Sequence, residues 1–143
     1  MLISPTADIR LLTACARVVT TKGDEAAIRQ MLVEDVDWTL VARKAVAYGL
    51  TGLVGNTLTR VAPDMVPEDV LDSFRANMDQ NRRHNRRLFE QLVGVMDVLM
   101  SVGVQAIPLD GPIFIIEAYG DLGFRECRGM HFSFAIAILL RQS

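Results

Sequence analysis

From Glu68 to Ser101 the chain runs without a proline and with a single glycine, Gly94. Proline breaks a helix interior and glycine weakens one, so nothing in this stretch interrupts a helix. Leu71, Phe74, Met78, Leu88, Leu92, Val95 and Leu99 keep helical spacing within it. Residues three and four apart share a helix face, so the spacing predicts one long helix over residues 68–101. Asn81 and Asn85 fill the core-facing slots between Met78 and Leu88. Two readings fit them: a polar interhelical contact, or a helix that leaves the core at that point.

A helix of this length needs partners, and the residues before it supply them. Ser4 followed by Pro5 has the form of a helix start, with Ser as N-cap and Pro at the first position. Ile9, Leu12, Ala16 and Val19 continue at helical spacing. Lys22-Gly23-Asp24 is expected to break this helix, with Asp24 capping a second that carries Ile28, Met31 and Leu32. Asp37 is expected to cap a third, with Trp38, Val41, Ala42 and Ala45 on one face and Gly49 at its left-handed end. Residues 50–61 form a fourth candidate, which contains Gly52 and Gly55, and Pro63 and Pro67 bracket the turn that follows.

After Gly103 the pattern changes. Residues 104–109 are a short, branched, apolar run between Gly103 and Gly111, the signature of a buried strand. Asp110-Gly111-Pro112 makes a turn, residues 113–119 a short helix ending at Gly120, and residues 132–140 a second buried strand. The expected fold class is α+β, mainly α. A helical region over residues 1–102, a bundle with one long helix, precedes the first one or two strands of an α/β core over residues 103–143. Two strands are too few to be stable alone. Their uncovered edges and apolar faces predict self-association.

Composition narrows the function classes. Half the chain is hydrophobic, which suits a folded domain, and the formal net charge is −2, so no basic excess points to nucleic acid. The densest charge feature is Arg82-Arg83-His84-Asn85-Arg86-Arg87. Asp79 and Glu90 lie one helical turn from Arg83 and Arg86, so the run reads as a solvated, salt-bridged face before it reads as a phosphate grip. It has no interleaved aromatic for base stacking. Cys15 and Cys127 stand in no CxxC pattern and are expected as reduced core thiols before a disulfide. His84 lies among arginines, and His131 has only Cys127 near it in sequence, so neither signals a metal site. The apolar run over residues 130–140 falls short of the ~20 residues that span a bilayer, and no basic-then-apolar leader opens the chain. A cytoplasmic protein without a membrane partner is the expectation.

The order strand, glycine turn, helix around Gly111 places backbone amides at a helix start, a generic anion cradle. The segments Gly103-Val104, Ile107-Pro108-Leu109, Asp110-Gly111-Pro112, Tyr119-Gly120-Asp121-Leu122 and Arg125 carry more. With LLTACAR over residues 11–17, they resemble a bacterial nucleotidyltransferase family whose core is of the DNA polymerase β-like type. The pattern of that family is a long helix ending in glycine, a strand, Lys-Gly-Pro or similar, a short helix, Tyr-Gly-Asp, an arginine and a D-x-D strand. The resemblance implies transfer of a nucleoside monophosphate from a nucleoside triphosphate to an acceptor. In intact members Mg2+ is expected on the D-x-D pair, whose carboxylates point to one side of a strand. Phosphate contacts are implied at Gly111, Pro112 and Arg125.

The sequence departs from that pattern where the chemistry is decided. Asp110 replaces the lysine, and its charge opposes a triphosphate. The D-x-D pair falls on Gly129 and His131 without a gap, or on Ala135 and Ala137 with a short insertion, and no Asp or Glu follows Glu126. The resemblance thus implies no catalytic residue, no metal ligand and no cofactor in this chain. It leaves weak nucleoside triphosphate or phosphate binding without transfer. A truncated or frame-shifted nucleotidyltransferase with a new tail after about Cys127 is the first expectation, and a degenerate member kept as a binding module the second. The rival from another class is a non-catalytic helical interaction module.

Overall fold

The computed structural model describes residues 5–135. Six helices and two short strands follow in the order α1 (Ala7–Cys15), α2 (Lys22–Met31), α3 (Trp38–Ala47), α4 (Thr51–Val61), α5 (Glu68–Ser101), β1 (Gln105–Pro108), α6 (Pro112–Tyr119) and β2 (Phe132–Ala135). The architecture is α+β and mainly α. The long helix covers the span its periodicity predicts. At 34 residues and about 1.5 Å of rise per residue, α5 is about 50 Å long.

Helices α1 to α4 pack on one another, and α4 carries the main contact of this bundle with the start of α5. Leu12, Cys15, Ile28, Val41, Val54 and Leu58 are buried with Leu71 and Phe74 of α5 in one core. The only polar side chain of α4 buried there, Thr57, is satisfied by donating to the carbonyl of Cys15 at 2.9 Å. Gly55 sits where an added Cβ would come within 2.6 Å of the Phe74 side chain, so its small size lets α4 approach α5 closely.

Caps fix the helix starts, partly as expected. Asp37 accepts from the Leu40 amide at 2.9 Å and caps α3, and Gly49 follows α3 with φ of 66°. Residues 22–24 are not a break but the first turn of α2. Thr21 is the N-cap, and Asp24 at the third position returns the bond to the Thr21 amide at 2.8 Å, a reciprocal capping box. The N-cap position of α1 is Thr6 and makes no side-chain cap bond. The expected cap Ser4 lies outside the described residues.

The strands differ most from expectation. β1 and β2 pair antiparallel with Ala106 opposite Phe134 and Ile107 opposite Ser133. β1 is shorter than residues 104–109 and is half-exposed, not buried: Ile107 is 67% exposed and Leu109 60%. Among the described residues the sheet has two strands only. No further layer covers its outer face, so the apolar character of these residues does not produce burial. The continuation of the second strand over residues 136–140, Ala137 included, lies outside the described residues. Cys15 and Cys127 are both free and buried, and burial pushes the Cys15 thiol up to about 12. Among the described residues no helix is long and apolar enough to cross a membrane.

Candidate phosphate-binding site

Gly111 is the N-cap of α6 and adopts φ of 119°. An added Cβ would find ordinary space there, 3.4 Å from Met130, so the backbone conformation and not crowding calls for glycine. The turn opens onto a pocket of about 570 Å³ lined by Gly111, Tyr119, Arg125, Arg128, Gly129 and His131 among others. The fold therefore brings Gly111 and Arg125 to one cavity. Pro112 is buried, stands at the first position of α6, lacks an N–H and does not line the pocket. The Phe114 amide turns back to the Gly111 carbonyl at 3.2 Å, which leaves the amides of Gly111 and Ile113 as the donors of the turn. The Arg125 side chain is exposed and lines the same pocket.

Asp110 and His131 meet at the pocket mouth. The Asp110 carboxylate accepts from the His131 backbone N–H at 2.8 Å and from its Nδ1. This hydrogen bonding by His131 holds the Asp110 carboxyl below the usual carboxylate range. The sequence showed no partner for His131 because Asp110 is 21 residues away.

The positions where a D-x-D pair would fall offer magnesium no carboxylate. Magnesium asks for near-octahedral oxygen ligands, commonly carboxylates with substrate phosphates. Gly129 has no side chain, and His131 offers imidazole nitrogen, a donor better suited to zinc. Of the other candidate pair, Ala135 has only a methyl group and Ala137 lies outside the described residues. Among the described residues no group of three or more His, Cys, Asp or Glu gathers as metal ligands.

What holds the far wall of the pocket is a row of side chains on α5. Asn85 Nδ2 donates to the carbonyls of Leu122 and Arg125, each at 2.7 Å, and Asn85 Oδ1 accepts from the Cys127 amide at 3.0 Å. Asn81 donates to the Gly123 carbonyl at 3.2 Å, and His84 Nε2 donates to the Cys127 carbonyl at 2.8 Å. Arg82 forks onto Asp121 at 2.8 and 2.7 Å and also reaches Asp79 at 2.7 Å. That fork holds the Asp121 carboxyl low and the Arg82 guanidinium high. From the other side, α4 presses its backbone on the same segment. A Cβ at Gly52 would fall 2.4 Å from the Gly123 carbonyl oxygen and 2.6 Å from the Phe124 Cα.

Of the two readings of Asn81 and Asn85, the polar contact is the observed one. Its partner is an irregular segment, not a helix. Among the described residues the ion pairs of the basic run are those of Arg82 with Asp79 and Asp121, not Arg83 with Asp79 or Arg86 with Glu90. These supporting residues escaped the sequence reading of the site. The available signal was two asparagines at core-facing positions and a glycine inside α4.

A family model described as an uncharacterised nucleotidyltransferase matches residues 34–130. That span runs from the turn before α3, through α5 and the Gly111 turn, to the residue before His131. No curated protein and no solved structure matches the chain.

Proposed function

The chain belongs to this nucleotidyltransferase family, and from that premise we propose that the pocket at Gly111 takes the phosphates of a nucleoside triphosphate without transferring the nucleotidyl group. One observation carries the binding half: Gly111 before α6 and Arg125 after it line a single pocket together with a second arginine, Arg128. Backbone amides at a turn and guanidinium forks are the usual protein ligands of phosphate oxygens. Neither candidate register of the D-x-D pair supplies a carboxylate in this sequence, which supports the non-catalytic half. The Asp110 carboxylate sets a limit on affinity, since its charge stands at the mouth of the pocket and is only partly answered by His131. The two free thiols suit the reducing bacterial cytoplasm that we propose as its setting.

The test is titration of the purified chain with a nucleoside triphosphate without metal, followed by incubation with labelled triphosphates, Mg2+ or Mn2+, and mixed protein and RNA acceptors. Weak saturable binding, lost in Arg125→Ala and in Gly111→Val, with no label transferred, is the expected result. Reproducible transfer that vanishes in Gly111→Val would overturn it.

A second reading has its own observation. Val95, Val98, Met100 and Val102 near the end of α5 are exposed, as are Ile107 and Phe134 on the sheet. We propose that this surface and the free strand edges mediate self-association. Light scattering that finds a clean monomer at high concentration would remove this reading.

A further inference from the structure

We infer that Asn85 is the positioning residue of the phosphate pocket, setting the place of Arg125 through the backbone that carries it. The inference rests on the phosphate reading above and deepens it by naming what orients the guanidinium. Asn85 is fully buried, yet each polar atom of its side chain has a partner on one short segment. Its amide group donates to the carbonyl of Leu122 and to that of Arg125 itself, while its oxygen accepts from Cys127 two residues on. A primary amide is the side chain of this length that offers two donors and an acceptor together. Aspartate would lose both donors, and leucine would leave two carbonyls and an N–H buried without partners.

Arg125 is thus bracketed on its own backbone by bonds to a rigid helix, while its side chain stays exposed in the pocket. Of the other contacts of α5, His84 also reaches Cys127, at its carbonyl, and among the described residues only Asn85 bonds the backbone of Arg125 itself. Asn81 and Arg82 fasten Gly123 and Asp121, on the near side of the segment. They hold the segment down without touching the backbone of Arg125. A merely structural role would make all these contacts equivalent for ligand affinity. A positioning role singles out Asn85.

The experiment compares Asn85→Ala with Asn81→Ala in the full chain, with inorganic tripolyphosphate as the probe. Both variants lose buried hydrogen bonds, so both should unfold at lower urea. Only Asn85→Ala should weaken tripolyphosphate, by about tenfold, as expected when a supporting hydrogen bond behind a binding group is removed. Asn81→Ala should stay within about twofold, inside the spread of ordinary surface effects. Asn85→Ser, whose shorter hydroxyl removes the direct bonds but leaves a polar group in the buried space, serves if the alanine variant does not fold, with a loss in the same direction. Amide hydrogen exchange gives a readout independent of the ligand. Exchange at Cys127 should rise in Asn85→Ala while Leu58 and Phe74 remain protected. Equal loss of affinity in the Asn81 and Asn85 variants would overturn the inference, as would unchanged exchange at Cys127. A wild-type chain that does not bind tripolyphosphate would instead overturn the phosphate reading, and the inference would fall with it whatever the exchange result.

Discussion

The two halves of α5 live in different surroundings. Over its first turns Leu71 and Phe74 enter the core that α1 to α4 share. Beyond Leu92 the same helix exposes Val95, Val98 and Met100, and the sheet beside it exposes Ile107. Both halves have the same apolar periodicity. What differs is whether neighbouring elements are present to use it. Between them the helix is neither sealed nor bare. There it turns polar at Asn81, Arg82, His84 and Asn85 and grips the segment that forms the pocket wall. The comparison teaches that a hydrophobic stripe states a capacity for burial. The partner is chosen by the rest of the chain.

The sharpest way to break this contrast is truncation on the sealed side. Phe74→Ala removes a ring packed among the helices, and a loss of about 3–5 kcal/mol is expected in urea unfolding. A loss below 1 kcal/mol would mean that the first half is no better packed than the second. Next in size is Gly52→Ala. The added methyl meets a carbonyl oxygen at 2.4 Å, which only backbone movement can relieve, and about 1–3 kcal/mol is expected. Amide exchange should place the damage in residues 121–127 and spare Ile28 and Val41. Uniform damage across the bundle would show that the pocket wall is not a separate unit.

A smaller effect separates the two regions by pH. The Arg82 fork depresses the Asp121 carboxyl in the folded chain, so its stabilising contribution is present above the unfolded value of about 4. That contribution is lost as pH falls through the lower folded value. Both side chains are about a third exposed, so solvent screening limits the pair to about 1 kcal/mol or less. Arg82→Gln should flatten the fall in urea midpoint between pH 6 and 3 at residues 121–127. The bundle retains its own acid sensitivity from Asp8, held low by hydrogen bonding to Lys44. An acid limb unchanged by Arg82→Gln would remove the fork from the account. The smallest stability effect belongs to the open half. Val98→Lys should shift the unfolding midpoint by no more than about 0.5 kcal/mol while lowering self-association in light scattering. A large loss would mean that this face is covered in solution.

Much of the helical architecture was legible because its signals are local. An unbroken periodic run from Glu68, a cap at Asp37 and a left-handed Gly49 are set by residues within a turn of one another. The capping box was misassigned by three residues because Thr21 and Asp24 act reciprocally, and either alone has the form of a cap. At the site, the sequence pointed to Gly111 and Arg125 by resemblance, and that they line one pocket is a property of the fold. The partners of Asn85 were not legible, since they lie 37 to 42 residues downstream in a segment without periodicity. A separation of 21 residues likewise concealed the meeting of Asp110 with His131. The strands were read as buried because apolar content is local, whereas the layer that would cover them is not.

The separation between Asn85 and its partners also orders events in time. Every residue of the sealed core lies between Leu11 and Phe74, so the bundle has all its packing residues once α5 has begun. Cys127 is made about fifty residues later, which at ~5–20 residues per second is a delay of a few seconds in synthesis. Asn81, Arg82 and Asn85 are made before the partners they bind, on a helix whose first turns belong to the bundle core. This order favours a pocket wall that docks onto a bundle already able to pack. Damage to the clamp should speed its release and leave the speed at which the bundle forms unchanged.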